Sequence, residues 1–149
     1  MKKPKIGIVA SRFNEEVTDR LLSSCFKTLD AAKIEKSDIL VVRVPGAYEI
    51  PWTLQEMALS RKYSVLITLG CILKGETPQN DYMAKAVIGN IQKISLQTRV
   101  PCVLGVITPH TEKQALARTR GEMDRGKEAA LAALEMLWIK SIMDKKASQ

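Results

Sequence analysis

The stretch Lys74-Gly75-Glu76-Thr77-Pro78-Gln79 gathers residue types suited to seating an anion. Glycine lets a ligand approach the backbone closely, threonine offers a hydroxyl at the usual N-cap, and proline suits the first helical position. The spacing predicts a helix from about Pro78, whose unpaired N–H groups would join the Thr77 hydroxyl around an oxyanion, phosphate being the first choice. Two other short polar stretches, Arg12-Phe13-Asn14 and Gly46-Ala47-Tyr48-Glu49, carry aromatic rings and a carboxylate. Each of the three follows an apolar run. An aromatic, a carboxylate and an anion seat brought together would suit a flat polar ring that carries, or reacts with, a phosphate.

The apolar runs must position these groups. Val65, Leu66, Ile67, Leu69, Cys71, Ile72 and Leu73, interrupted only by Thr68 and Gly70, read as a strand buried on both faces. Lys5 to Ala10, Asp38 to Val44 and Cys102 to Ile107 read as three more. Between them Val17, Leu21, Leu22, Cys25 and Leu29 recur at helical spacing, with Asn14 as the expected cap and Glu15 and Glu16 at the positive end of the dipole. A second helix is expected from Pro51 to about Arg61. A third carries Met83, Val87, Ile91 and Ile94 on one face. Thr111 and Gln114 form a capping-box pattern for a short helix to about Arg118. A last helix follows Gly126, with Leu131, Leu134, Trp138 and Ile142 as its apolar stripe and its alanines adding helix propensity. Four alternations of apolar strand and helix predict a three-layer α/β domain spanning residues 1–149. Its parallel four-stranded sheet would take the flavodoxin-like order 2-1-3-4, with helices on both faces. In that arrangement ligands bind beyond the carboxyl ends of the strands, where the three polar stretches meet.

The 46% apolar fraction fits an ordinary globular core, and no apolar run is long enough to span a membrane. The basic start has too short an apolar stretch after it for a signal peptide, so the cytoplasm is the expected compartment. Cys25, Cys71 and Cys102 are odd in number and set among apolar neighbours, as small core residues would be. The net charge of +7 suggests anionic partners. The lysines lie at the two ends and singly between, however, and two phenylalanines give no interleaved stacking platform for nucleic acid.

Five ordered blocks resemble the lumazine synthase family over nearly the whole chain: ASRFNEEVTDRLL from Ala10, VRVPGAYEIP from Val42, LGCILKGETP from Leu69, GVIT from Gly105 and GKEAALAALEM from Gly126. The resemblance implies condensation of 5-amino-6-ribitylaminouracil with 3,4-dihydroxy-2-butanone 4-phosphate. The products would be 6,7-dimethyl-8-ribityllumazine, phosphate and water, with no metal or organic cofactor. On the same resemblance Phe13 stacks on the pyrimidine, and Ala47, Tyr48 and Glu49 hold the ribityl-uracil. Cys71, Ile72 and Leu73 run beside that ring, and Glu76 and Thr77 seat the phosphate. Arg118 reaches the phosphate from an adjacent subunit, where its planar fork can bind two oxygens at once. The family forms pentamers that in many members close into an icosahedral shell. Here the first strand begins about four residues in, so the extension that often pairs with a neighbouring sheet is expected to be short or missing.

Three positions depart from the family pattern. Gln79 stands where the proton-transferring histidine is expected, Leu104 replaces a phenylalanine of the neighbour-facing wall, and Arg125 replaces a lysine. The implied reaction moves protons at imine formation, phosphate elimination and ring closure, and a titrating histidine typically supplies about 10²–10⁴-fold there. Glutamine can only donate or accept hydrogen bonds. His110, the sole histidine, follows the fourth strand on the same rim and is a possible substitute. A working synthase with altered proton transfer is therefore the first expectation. A lumazine- or flavin-binding or shell-forming homologue without catalysis is the second, and a basic nucleic-acid-binding module the third.

Overall fold

The computed structural model describes residues 3–148. Its strands are β1 (Ile6–Ser11), β2 (Ile39–Val44), β3 (Val65–Cys71) and β4 (Cys102–Ile107). Its helices are α1 (Glu15–Ala31), α2 (Ile50–Leu59), α3 (Gln79–Thr98), α4 (Glu112–Ala117) and α5 (Arg125–Ala147), with short 3₁₀ turns at Lys36–Asp38, Ala47–Glu49 and Gly121–Met123. The four strands pair in parallel in the order β2-β1-β3-β4, as the alternation of runs predicts. Every residue of the central strands β1 and β3 is buried, because helices cover both faces.

Period-two alternation divides the core. Ile6, Ile8 and Ala10 of β1, with Val65, Ile67 and Leu69 of β3, pack with α1 and α5. Val9 and Leu66 point the other way, onto Ile50 and Leu54 of α2 and Val87, Ile91 and Ile94 of α3. Thr68, the polar residue inside the third run, is fully buried but paired. Its hydroxyl donates to the Val103 carbonyl at 2.8 Å and accepts from the Gly105 amide at 3.3 Å.

Of the expected apolar stripe of α5 only Leu134 packs against the core, and the rest is not its buried face. Leu131 and Trp138 are 49% and 63% exposed and Ile142 also faces out, whereas Gly126, Ala129, Ala130 and Ala133 are buried against α1 and the sheet. Small residues win this face because the helix runs so close to its neighbours: a Cβ at Gly126 would overlap the Leu21 carbonyl of α1. Asp124 sets the start of the helix. Its Oδ1 accepts from the Gly126 and Lys127 amides at 3.0 and 3.1 Å, and its Oδ2 accepts from the Ser24 hydroxyl of α1. The edge strand β2 is only partly covered, with Leu40 exposed, so the expectation of strands without a polar face holds for β1 and β3 alone.

Gly126→Ala forces apart two backbones rather than displacing a flexible side chain. It should destabilise the fold by about 1–3 kcal/mol, read as a lower urea midpoint with an unchanged slope. An unchanged midpoint would show that α5 docks with slack.

Candidate active site

All four strands point their carboxyl ends at one rim, and the backbone pairing continues past them. Beyond β1 and β2, the Arg12 amide donates to the Val44 carbonyl at 2.8 Å and the Phe13 amide to the Pro45 carbonyl at 3.0 Å. Beyond β3 and β4, the Ile72 amide donates to the Ile107 carbonyl at 2.9 Å and the Lys74 amide to the Pro109 carbonyl at 3.0 Å. Pro109 has no N–H to return, so the Ile72 carbonyl, which the parallel ladder would otherwise pair there, lacks that partner.

Asn14 joins the two halves of the rim. It stands at the N-cap of α1, as expected, but in the left-handed region at φ 62°, and its side chain makes no capping bond. Its Nδ2 instead donates to the Cys71 carbonyl at 3.0 Å, linking the loop after β1 to the loop after β3. Asparagine tolerates the left-handed region better than most residues and carries the amide that the tie requires. Arg43 adds a second brace from β2. Its guanidinium donates to the Ser11 carbonyl at 3.1 Å and to the Asp19 carboxylate at 2.9 Å.

The anion seat differs in detail from the sequence expectation. Helix α3 begins at Gln79 with Pro78 at its N-cap, and the Thr77 hydroxyl makes no capping bond. Thr77 lies in an exposed bend with Glu76 instead. The Asp81 and Tyr82 amides both donate to the Pro78 carbonyl, at 3.0 and 3.1 Å, so the turn closes locally. The amides of Gln79 and Asn80 precede the first intrahelical bonds, so the turn keeps donors for an anion. The Asn80 side chain donates to the Leu73 carbonyl and anchors the loop.

Phe13 is 70% exposed at the lip of β1, and Tyr48 is exposed beside half-buried Glu49, while Ala47 packs into the core below. The Glu49 Oε1 accepts from the Gly46 amide at 3.1 Å, leaving Oε2 to accept hydroxyl protons. Cys71 and Ile72 are buried and Leu73 half-buried, so this run presents backbone to the rim and side chains to the core. Burial pushes the Cys71 thiol up to about 11 and the Cys25 thiol, with Asp124 nearby, to about 12. At Cys102 the same cause gives about 11. Such thiols stay protonated near neutral pH and are poor nucleophiles, in line with their core role.

The remaining candidates gather elsewhere. Leu104, Arg118 and Arg125 line one cleft of about 360 Å³ between β4 and the first turns of α5. Arg118 is half-buried, with Nη1 donating to the Gln114 carbonyl at 3.2 Å, and Arg125 is paired with Glu128. Leu104 is in register with Thr68 and Val9, two strands away from β1 and four residues short of Phe13. At about 3.3 Å per residue and 4.8 Å per strand, this separates Leu104 from Phe13 by well over 10 Å. Within one chain, then, the rim and the β4–α5 cleft are distinct surfaces.

His110 is exposed just after Pro109, next to the Lys74 loop. Its amide donates to the Gln114 Oε1 at 2.9 Å, while the Thr111 hydroxyl accepts from the Gln114 amide at 3.1 Å. The predicted capping box is therefore present with its return bond one residue early. Among the described residues no cluster of histidine, cysteine and carboxylates is arranged to hold a metal.

A protein-family model described as 6,7-dimethyl-8-ribityllumazine synthase matches residues 3–141. The chain belongs to that family. This agrees with the five sequence blocks and assigns the protein to the transferases of riboflavin biosynthesis. The match includes both the rim and the β4–α5 cleft. No helix among the described residues is long and apolar enough to cross a membrane.

Sequence reasoning missed Asn14 as a tie, Arg43 as a brace and Asp124 as a cap. The tie can be tested with two variants. Asn14→Gly keeps the left-handed backbone but loses the amide, and should cost about 0.5–1.5 kcal/mol in thermal or urea unfolding. Asn14→Ala loses the amide and adds backbone strain, so it should cost more. Equal stability of Asn14→Gly and the parent protein would show that the bond to Cys71 contributes nothing.

Proposed function

We propose that this chain, acting as one domain over residues 1–149, is a lumazine synthase whose site is completed by a neighbouring subunit. It would condense 5-amino-6-ribitylaminouracil with 3,4-dihydroxy-2-butanone 4-phosphate. The observation that carries this reading is the division of the candidate residues into two surfaces. The rim offers an aromatic face, a carboxylate and an anion seat, while the β4–α5 cleft offers two guanidinium groups and an aliphatic wall. Each surface supplies half of what the reaction requires.

In this reading Phe13 stacks on the pyrimidine, and Tyr48 and the free Glu49 oxygen orient the ribityl chain. Ala47 keeps the Tyr48–Glu49 turn close to the sheet, and the backbone of Cys71, Ile72 and Leu73 borders the ring. Glu76, Thr77 and the first α3 amides surround the phosphate, and Arg118 of the adjacent protomer offsets its charge. Leu104 and Arg125 of that protomer close the cavity. The 5-amino group attacks the ketone, water leaves to give the imine, phosphate is eliminated, and the ribitylamino nitrogen adds to the remaining carbonyl, closing the ring with loss of a second water.

Gln79 sits in the exposed first turn of α3, beside the phosphate loop. It can hydrogen-bond to the carbonyl or phosphate but cannot carry a proton from one step to the next. Phosphate has a second ionisation near pH 6, and the substrate's own phosphate can serve as a proton shuttle. Holding the two reactants together supplies much of the remaining acceleration. The assembly is a pentamer, within which each site pairs the rim of one protomer with the cleft of the next. The protein works in the cytoplasm, without metal or organic cofactor and without a nucleic-acid partner. The same Gln79 favours a second reading, a family member that binds ribityl-pyrimidines or flavins, or builds a shell, without turnover.

Mixing the two substrates with the protein and following lumazine absorbance separates these readings. Turnover above the uncatalysed background is expected, and Gln79→His should raise it by about 10-fold or more. Riboflavin that quenches Tyr and Trp fluorescence without any product formation would instead support the binding reading.

A further inference from the structure

We propose that the opposite pole of the sheet holds a second anion site, which recognises a chain of two or three phosphates such as that of a nucleoside polyphosphate. Lysines far apart in sequence converge there. Lys3 and Lys5 precede β1, Arg61 and Lys62 follow α2, and Lys140 comes from α5, and all five line one cleft of about 800 Å³ in which Asp38 is the only carboxylate among the described residues. This volume is in the range of small-molecule sites.

Not all five cations are free. The Lys3 Nζ is held by Glu35 at 2.6 Å and by Asp38 at 3.6 Å. One arm of Arg61 donates to the Thr98 carbonyl at 2.7 Å, which fixes the guanidinium at the cleft and leaves its other N–H groups available. Among the described residues Lys5, Lys62 and Lys140 have no carboxylate within ion-pair distance. The backbone beneath them is fixed, because the Ser64 amide donates to the Lys5 carbonyl at 2.8 Å.

The ordinary explanation of cations here is that they offset the negative end of a helix dipole. It covers Arg61 and Lys62, which follow the last turn of α2. It does not cover Lys5 or Lys140, which end no helix. Three unpaired ammonium groups and part of a guanidinium around one cleft repel each other, and a multivalent anion relieves that repulsion where a monovalent one does so poorly. The phosphate chain matches the charge, and the half-buried Tyr63 ring in the same cleft gives an attached base a face to lie on. The site is independent of the reaction proposed above, since the cleft lies at the amino ends of the strands and the rim at their carboxyl ends.

The test is calorimetric titration of the full-length protein with tripolyphosphate and with ATP, at constant ionic strength and against sulfate. Saturable binding of one equivalent per chain, tighter than sulfate, is expected. The double variant Lys5→Gln, Lys62→Gln should weaken it about 10-fold or more, and so should Lys140→Gln, with the melting temperature equal or higher and lumazine formation unchanged. Arg118→Ala, at the other pole, should leave it intact. Three results would overturn the proposal: binding no tighter than sulfate, affinity unmoved in the folded lysine variants, or affinity lost in Arg118→Ala. A 12-residue single-stranded oligonucleotide that displaced ATP from the cleft at lower concentration would equally replace the small ligand with nucleic acid.

Discussion

The hydrogen bond from the Asn14 amide to the Cys71 carbonyl is the constraint on which the candidate site depends. A parallel sheet delivers every strand to one rim, but its ladder stops there and leaves backbone groups without partners. On this rim the loops continue the pairing two by two, β1 with β2 and β3 with β4. Asn14 is the crossing between the pairs. It fixes the position of Phe13, one residue before it, relative to the Leu73-to-Thr77 loop that begins two residues after Cys71. The left-handed backbone at Asn14 is the local strain that accompanies this placement, and strain of that kind is often found where a chain must present a side chain at a fixed point.

The architecture was legible in the sequence because burial on both faces leaves unbroken apolar runs and helices leave spaced ones. Both patterns survive without knowledge of contacts, and strand order followed from handedness. The buried face of α5 was not legible in the same way. Periodicity arguments give weight to large residues, yet the closest helix contacts select small ones, so Gly126 and the alanines are inside while Leu131 and Trp138 face out. Asn14 and Thr77 carry the same lesson at the site. Residue type marks both as caps, but whether a side chain caps its own helix or reaches elsewhere is decided by what lies across the rim, which sequence spacing does not encode.

The grouping of charge was not legible for a related reason. Lysines at the two ends of the chain look scattered when counted along it, and the fold brings Lys3, Lys5 and Lys140 to one cleft with Arg61 and Lys62. The division of the candidate site residues was partly legible. Arg118 and Leu104 had been assigned to a neighbour-facing wall by family resemblance, and for Leu104 the register of β4 against β3 and β1 gives the physical reason: one chain holds it well over 10 Å from Phe13. In the composite site proposed above, the two surfaces sit on adjacent copies, so neither half would act before assembly. In the function proposed above, Gln79 changes how protons move without changing which surfaces must meet.

Subunit mixing tests that composite site most directly. Phe13→Ala removes the ring from the rim and Arg118→Ala removes the guanidinium from the cleft, so homogeneous oligomers of either variant lack one half of every site. When the two are dissociated, mixed in equal amounts and reassembled, about one interface in four should pair an intact rim with an intact cleft. The account predicts recovery of about a quarter of the parent lumazine-forming activity. Mixed oligomers that form normally yet remain as inactive as their parents would contradict it.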